Sequence, residues 1–308
     1  MQKIIMIDRL KDPSLFKGRA NQVYSDFFKL SKFCTVERPT EGVGFTTDWI
    51  EMFRQSNKQD LIEPVITREI LGKLFELKDE GFCNMISAMS LYQNHSAKNY
   101  IFSEALVRIL KRTKTDLSLK YLPESFYGFF DIPGLVDIEG KVIDGVFVNI
   151  HKGVLQFSGL VKEVHGKDSY FSQWYFQFPL DRNKTLSEVV GDSFFVSETS
   201  PGVSEMLPLS DEKETHQLIA NALAYVCNVP LGLELGKNEF KGGWKKIEAQ
   251  KKNFTQQDFI FVGKDYEGRV FSIDSTAVSG HYRWQPHGPE RSLVKLIFIE
   301  PHERNYKK

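Results

Sequence analysis

The residues best equipped for chemistry lie near the carboxyl end, between Gly280 and His302. This segment combines imidazole, guanidinium, indole, amide and ammonium groups around a turn: His281, Arg283, Trp284, Gln285, His287, Arg291, Lys295 and His302. Imidazoles transfer protons near neutral pH, cations neutralise phosphates, and an indole ring can stack on a base. We therefore predict that this segment is an RNA-facing or effector surface.

Alternation predicts how these groups are arranged. Residues 279–285 and 293–300 both alternate, and Pro286-His287-Gly288-Pro289 between them favours a turn, so the segment is predicted to form a β-hairpin. Tyr282 and Trp284 would then lie on one face. The other face would carry three polar groups, His281, Arg283 and Gln285.

Several interpretations of this polar face stay open. It can be a solvated hairpin surface with cross-strand pairs. It can instead contact RNA. It can also cleave RNA without a metal, because cleavage needs only a general base and cations that stabilise the transition state; His281 and Arg283 are the candidate catalytic residues. The histidines lack adjacent cysteine or carboxylate ligands, so no metal site is predicted. The chain has no P-loop, no GxGxxG after a strand, no GxSxG and no HExxH, and no cofactor is expected.

Composition limits the classes of protein to consider. The 308 residues include 40 basic and 40 acidic side chains, which disfavours a general polyanion binder but leaves room for a local basic patch. Twenty-five phenylalanines predict an aromatic core or groove. Cys34, Cys83 and Cys227 are widely spaced, as is typical of buried thiols in a reducing cytosol. Because no signal peptide or long apolar run is evident, we expect a soluble cytoplasmic protein without a membrane partner.

The elements that must position the hairpin predict an α+β fold. Residues 1–118 are predicted to form a helical domain, with amphipathic helices in 18–34, 46–53, 67–80, 83–92 and 100–112. Residues 119–308 are predicted to form an α+β domain with an antiparallel sheet, a long helix and the carboxyl-terminal hairpin. Its expected elements are strands in 142–150, 154–164, 170–179, 259–262 and 269–273, a capping box at 185–188, a loop over 191–210 and a helix over 211–228. The lysine-rich segment 232–258 is either solvated surface or a phosphate contact.

The carboxyl-terminal motif resembles a known family. The sequence from Gly280 through His302, with its GHYRWQP core, is similar to the closing motif of type V-A anti-CRISPR proteins encoded by phages and other mobile genetic elements. A weaker similarity reaches back to Leu122-Pro123. The resemblance implies recognition of the nascent amino-terminal peptide of a target nuclease, followed by loss of the encoding mRNA. It assigns the effector step to the motif residues His281, Arg283, Trp284, Gln285, Arg291, Lys295 and His302.

Three functions are therefore kept as hypotheses. The leading one is an anti-defence or regulatory protein that recognises a nascent peptide and lowers the level of the encoding mRNA. Its hairpin would face RNA, and the ribosome or the message would be a further partner. The second is a toxin-type ribonuclease with the hairpin as its active site. The third is a non-catalytic inhibitor that binds a partner protein.

Overall fold

The computed structural model describes residues 6–11, 19–39, 44–45, 80–114, 116–165, 168–191, 194–200, 203–208, 213–229, 259–263, 277–278, 280–287, 289, 293–299 and 302–303. Its helices are α1 (Met6–Lys11), α2 (Arg19–Ser31), α3 (Glu80–Asn94), α4 (Glu104–Leu110), α5 (Leu186–Gly191) and α6 (Lys213–Asn228). Its strands are β1 (Cys34–Thr35), β2 (Gly44–Phe45), β3 (Lys98–Phe102), β4 (Phe126–Asp131), β5 (Ile143–His151), β6 (Val154–His165), β7 (Asp168–Pro179), β8 (Phe194–Ser200), β9 (Val203–Pro208), β10 (Phe259–Val262), β11 (Ala277–Val278), β12 (His281–His287), β13 (Leu293–Ile299) and β14 (His302–Glu303). The predicted α+β class is confirmed.

A six-stranded mixed sheet forms the centre, in the order β10-β3-β4-β5-β6-β7. Strands β10, β3 and β4 run parallel to one another, and β4 to β7 form an antiparallel meander. The predicted antiparallel meander is therefore present. Strands β6 and β7 pair without interruption from Val154 opposite Pro179 to His165 opposite Asp168.

Helices cover both faces of this sheet, and phenylalanines fill both interfaces. Alternation along β4 sends Phe129 toward α1, α2 and α3, and Phe130 toward α4, α5 and α6. Phe129 meets Phe147 edge to face with ring centroids 5.2 Å apart. Several of the largest fully buried side chains are phenylalanines: Phe102, Phe129, Phe130, Phe147, Phe157 and Phe178. The predicted aromatic core is confirmed.

The segment around Tyr100 differs from its predicted helix. Residues 98–102 form β3, and α4 begins only after Ser103, whose side chain accepts a hydrogen bond of 3.2 Å from the Leu106 backbone N–H. Burial between two parallel neighbours outweighs the helical spacing of the apolar residues, because both faces of such a strand lie in the core. Residues before 118 therefore contribute a strand to the sheet. The division into residues 1–118 and 119–308 stays a prediction.

Other predicted elements had mixed outcomes. The helices expected at 18–34, 83–92 and 211–228 are α2, α3 and α6, and α3 begins at Glu80, three residues earlier than predicted. The capping box is confirmed: Thr185 N donates to Glu188 Oε2 at 2.6 Å, and Glu188 N donates to Thr185 Oγ1 at 3.2 Å. The loop predicted over 191–210 is wrong, because β8 and β9 pair there.

The reason for the error at 191–210 is the uneven distribution of its residues. Apolar side chains occupy paired positions of β8 and β9, such as Phe195 opposite Leu207 and Val196 opposite Met206, while proline and glycine stand at 201–202 between the strands. Three predicted elements lie outside the described residues: the helix at 46–53, the basic segment 232–258 and the strand at 269–273. The helix expected at 67–80 also lies outside them, except for its last residue, Glu80. Within the described part, no helix combines the length and apolarity needed to cross a membrane.

Candidate functional site

The carboxyl-terminal hairpin has the predicted register. Strands β12 and β13 pair antiparallel from His281 opposite Ile299 to His287 opposite Leu293. Pro286 and His287 belong to β12, whereas the sequence analysis placed them in the turn. A proline is tolerated there because β12 pairs with a single strand in the described part, so the missing N–H can face away from the ladder.

Aromatic residues hold one face of the hairpin against the body of the protein. The Tyr282 hydroxyl group donates a hydrogen bond of 2.9 Å to the backbone carbonyl oxygen of Asn221 in α6. The Tyr282 ring lies 5.3 Å from Phe298 of β13, and Phe298 meets Tyr225 of α6 edge to face at 5.5 Å. This inward face fixes the orientation of β12, because alternate side chains point to opposite sides.

The beginning of the hairpin is joined to α4 and α6 by further hydrogen bonds. Lys114 N donates to the Gly280 carbonyl oxygen at 3.0 Å. The buried Asn221 side chain donates from Nδ2 to the carbonyl oxygens of Leu110 at 3.0 Å and Thr113 at 2.8 Å. Asn221 therefore ties the end of α4, the middle of α6 and, through its own carbonyl group, the hairpin.

The outward face of the hairpin consists of His281, Arg283 and Gln285, as the alternation predicts. Arg283 and Gln285 are exposed and His281 is half-buried. Their register partners on β13 are Ile299, Ile297 and Lys295, respectively. Residue 295 therefore supplies a second cationic residue at a position diagonal to Arg283.

The remaining candidates are placed differently. Trp284 pairs with Leu296 and His287 with Leu293, so both belong to the hairpin ladder. His302 lies in β14, which pairs with β11 and not with the hairpin. Arg291 lies outside the described residues. The structure thus brings His281, Arg283, Gln285 and Lys295 to neighbouring register positions, and it gives His302 a different strand partner.

A second group of reactive side chains, which the sequence analysis missed, lies at one end of the sheet. We call it the Tyr-His cluster, and its members are His95, Tyr127 and His151. Tyr127 in β4 pairs with Asn149, so His151, two residues further along β5, is its diagonal neighbour. The Tyr127 Oη atom lies 2.7 Å from His151 Nδ1, and His151 Nε2 lies 3.1 Å from the Val36 carbonyl oxygen.

The partners of His151 determine its tautomer. A carbonyl oxygen only accepts hydrogen bonds, so Nε2 carries the ring hydrogen and donates it to Val36. The bare Nδ1 atom then accepts the hydrogen of the Tyr127 hydroxyl group. The ring of His95, from the turn after α3, stacks on Tyr127 with centroids 4.0 Å apart and planes inclined by 7°, and its centroid lies 5.7 Å from that of His151.

All three side chains of the cluster are held in their neutral forms. Burial, and then the charge of His151, lower the pKa of His95. Burial lowers the pKa of His151, with Lys152 acting in the same direction and the hydrogen bond to the Val36 carbonyl group opposing it. Burial raises the pKa of Tyr127. Near neutral pH both imidazoles are therefore unprotonated and able to accept a proton.

Two of the three cysteines have poorly reactive thiols. Burial raises the pKa of the Cys34 and Cys227 thiols to about 12, so these thiols stay protonated and unreactive. Among the described residues, no group of three His, Cys, Asp or Glu side chains is arranged to hold a metal ion.

The chain was also compared with protein-family models, with curated proteins and with solved structures, and no match was found. The outward face of the hairpin and the Tyr-His cluster are therefore the two surfaces from which a function can be inferred.

Proposed function

We propose that this protein lowers the expression of a target protein by binding the target's nascent amino-terminal peptide and contacting the encoding mRNA. The outward face of the hairpin would be the RNA contact. The observation that carries this proposal is the arrangement of β12, in which Arg283 and Gln285 are exposed while Tyr282, the residue before Arg283, anchors the strand to α6. The proposed setting is cytoplasmic anti-defence activity of a phage or other mobile genetic element, in line with the motif resemblance.

An anchored strand suits recognition of an RNA backbone. A guanidinium group neutralises a phosphate and offers several donors in a fixed plane, and a nearby amide can donate and accept. Because β12 is held by Tyr282 and the strand pairing, little backbone entropy is lost when Arg283 binds. The chain as a whole has no net charge. RNA binding is therefore expected to depend on this local surface and not on a general attraction to polyanions.

We assign peptide capture to the free edge of β7. In the described part this strand pairs with β6 on one side only. An edge strand presents unpaired N–H and carbonyl groups, which an extended peptide can complete as an added strand. Tyr175 and Phe176 of β7 are half-buried and lie beside this edge. Main-chain pairing would supply affinity, and such side chains would supply selectivity.

The test is selective sequencing of ribosomes and messages that co-purify with the tagged protein from cells. The wild type should enrich particular messages on ribosomes that have exposed the first residues of the product, and those messages should fall in abundance. Arg283→Ala should abolish the loss of message. Arg108→Ala, which removes an exposed arginine of α4, is the matched control and should behave like the wild type.

The same experiment separates the alternative functions. Lower target protein with unchanged message would contradict the mRNA-loss mechanism and favour a non-catalytic protein-binding inhibitor. Breakdown of messages without enrichment of any nascent peptide would favour a toxin-type ribonuclease. If Arg283→Ala and Arg108→Ala change message abundance equally, the hairpin has no specific role in the loss of message.

A further inference from the structure

We propose that Tyr127 and His151 form a proton-accepting site for a ribose 2′-hydroxyl group, so that this chain cleaves RNA itself. This inference rests on the proposed contact with RNA and adds a catalytic centre distinct from the hairpin. It replaces His281 and Arg283 as catalytic candidates, and these two residues keep a binding role.

The hydrogen bonding of Tyr127 leaves its hydroxyl oxygen able to accept a further hydrogen. Its hydroxyl hydrogen is directed to His151 Nδ1 at 2.7 Å, and the Oη atom makes no other hydrogen bond with any described residue. The lone pairs of Oη are therefore open to an incoming O–H donor. Tyr127 is half-buried, so a substrate group can reach it, whereas His151 lies behind it and is only 8% exposed.

The surroundings of His151 allow it to receive and hold a proton. If Nδ1 accepts the hydrogen of Tyr127, the resulting imidazolium still donates from Nε2 to the Val36 carbonyl oxygen at 3.1 Å. The backbone of Glu37 also favours the protonated form, whereas Lys152 and burial oppose it. The backbone groups of Val36 and Glu37 thus partly stabilise the positive charge that His151 acquires. His151 can therefore accept a proton during the reaction although it is neutral in the resting protein.

His95 and Lys152 complete the site. The His95 ring packs flat on Tyr127 and keeps the phenol in place, and its nitrogens make no hydrogen bond with any described residue. The ring nitrogen that carries the hydrogen can donate to a phosphate oxygen. Lys152 is exposed, directly follows His151, and can pair with the same phosphate. Glu37, also exposed, is the nearest acidic residue along the adjoining segment and would oppose such binding.

The reaction is an internal transesterification and needs no further reactant. The 2′-hydroxyl group transfers its proton to Tyr127 Oη as the Tyr127 proton moves to His151 Nδ1. The 2′-oxygen forms a bond to phosphorus while the bond from phosphorus to the 5′-oxygen breaks. The departing oxygen takes a proton from water, and the resulting hydroxide takes the proton back from the Tyr127–His151 pair. The products are a 2′,3′-cyclic phosphate and a 5′-hydroxyl end.

The cluster and the hairpin lie on opposite faces of the sheet. Tyr127 shares a face with Phe129, and His151 shares a face with Asn149, whose Nδ2 contacts the Ala88 carbonyl oxygen of α3 at 3.4 Å. The hairpin packs on α6, which covers the other face. Binding through Arg283 and cleavage at Tyr127 are therefore separable by substitution.

The test uses the purified full-length protein and a single-stranded RNA, with the matching DNA strand as the probe that lacks 2′-hydroxyl groups. We expect the wild type to cut only the RNA and to leave cyclic phosphate ends. Tyr127→Phe retains the ring stack with His95 but should lower the rate by about 100-fold, a typical contribution of one acid–base group. Tyr92→Phe removes a similar buried hydrogen bond, 2.6 Å to Asn99 Oδ1 on the same side of the sheet, and should cut like the wild type.

The pH dependence distinguishes proton transfer from a purely structural role of His151. The wild-type rate should rise as His151 loses its proton below its ordinary pKa and then level off, and His151→Gln should lose this rising limb. Absence of RNA cleavage by the wild type, or equal rates for Tyr127→Phe and the wild type, would overturn the inference. RNA binding is measured in parallel. If binding depends on Arg283 but no RNA is cleaved, only the inference of cleavage is overturned. If RNA is cleaved but binding does not depend on Arg283, only the proposed RNA contact of the hairpin is overturned.

Discussion

The Tyr282 hydroxyl group and the Asn221 backbone carbonyl group form the hydrogen bond, 2.9 Å long, that joins the carboxyl-terminal hairpin to helix α6. Tyr282 lies between His281 and Arg283, so this contact determines which side of β12 faces solvent. The proposed RNA contact therefore depends on an interaction made on the opposite side of the same strand.

Removal of this hydrogen bond should weaken the attachment of the hairpin. Tyr282→Phe keeps the ring contact with Phe298 but removes the hydroxyl donor that the Asn221 carbonyl oxygen accepts in addition to its helical N–H. We expect the free energy of unfolding to fall by about 1 kcal/mol in urea titrations. Gln285→Ala, on the outward face, is the control and should change it by less than about 0.5 kcal/mol. Equal stabilities of Tyr282→Phe and the wild type would show that the hydrogen bond does not hold the hairpin.

The side chain of Asn221 should contribute more to stability than that of Asn228 in the same helix. Asn221→Ala removes two hydrogen bonds in the core, one to the Thr113 carbonyl oxygen and one to that of Leu110, which keeps the Thr113 N–H as a donor, and we expect a loss of about 2 kcal/mol. Asn228→Ala removes one partly buried hydrogen bond to Ala224, with an expected loss of about 1 kcal/mol. Chemical denaturation measures both, and the reverse order would contradict the central position assigned to Asn221.

A glycine in β5 should be intolerant of any side chain. Gly145 has a φ of 90°, and a Cβ atom there would overlap the Phe129 ring, so Gly145→Ala should cost about 3 kcal/mol or more. Gly140 has a φ of 77° but open space around it, so Gly140→Ala should cost only about 1 kcal/mol. Thermal unfolding of the two variants tests the difference. Similar midpoints for both would argue against close packing of β5 on β4.

The lowered pKa of His95 makes a specific prediction about stability and pH. The folded protein binds a proton at His95 less readily than the unfolded chain does. Well above the ordinary pKa of histidine, His95 therefore does not make stability depend on pH. As the pH decreases from the ordinary pKa to the lowered pKa of the folded state, the free energy of unfolding falls. His95→Gln should lose this part of the acid sensitivity. Urea titrations above and below that range, compared between the variant and the wild type, measure it. An identical pH dependence of both proteins would contradict the neutral state assigned to the cluster.

The sequence predicted the hairpin well because its information is local. Alternation around Tyr282 defines which residues share a face, and the proline and glycine near 286–289 indicate the turn. The capping box at Thr185 and Glu188 was predictable for the same reason. Strand β3 was not predictable in this way, because its apolar residues also fit a helix and only pairing with β10 and β4 decides between the two.

The Tyr-His cluster could not be predicted from spacing. His95, Tyr127 and His151 stand in three separate segments, and the register of β4 on β5 is what brings Tyr127 to His151. Val36, which determines the tautomer of His151, comes from a fourth segment. Side chains that are brought together by long-range strand pairing leave no local pattern in the sequence. The sequence therefore predicts the hairpin as a candidate site and does not predict the Tyr-His cluster.

RNA binding by the outward face of the hairpin should be visible in the salt dependence of the affinity. The affinity of the purified protein for single-stranded RNA is measured over a range of salt concentrations for the wild type, Arg283→Ala and the control Arg108→Ala. Loss of one phosphate contact should lower the slope of log affinity against log salt concentration by about 0.7 in Arg283→Ala only. Identical slopes and affinities for all three proteins would contradict the claim.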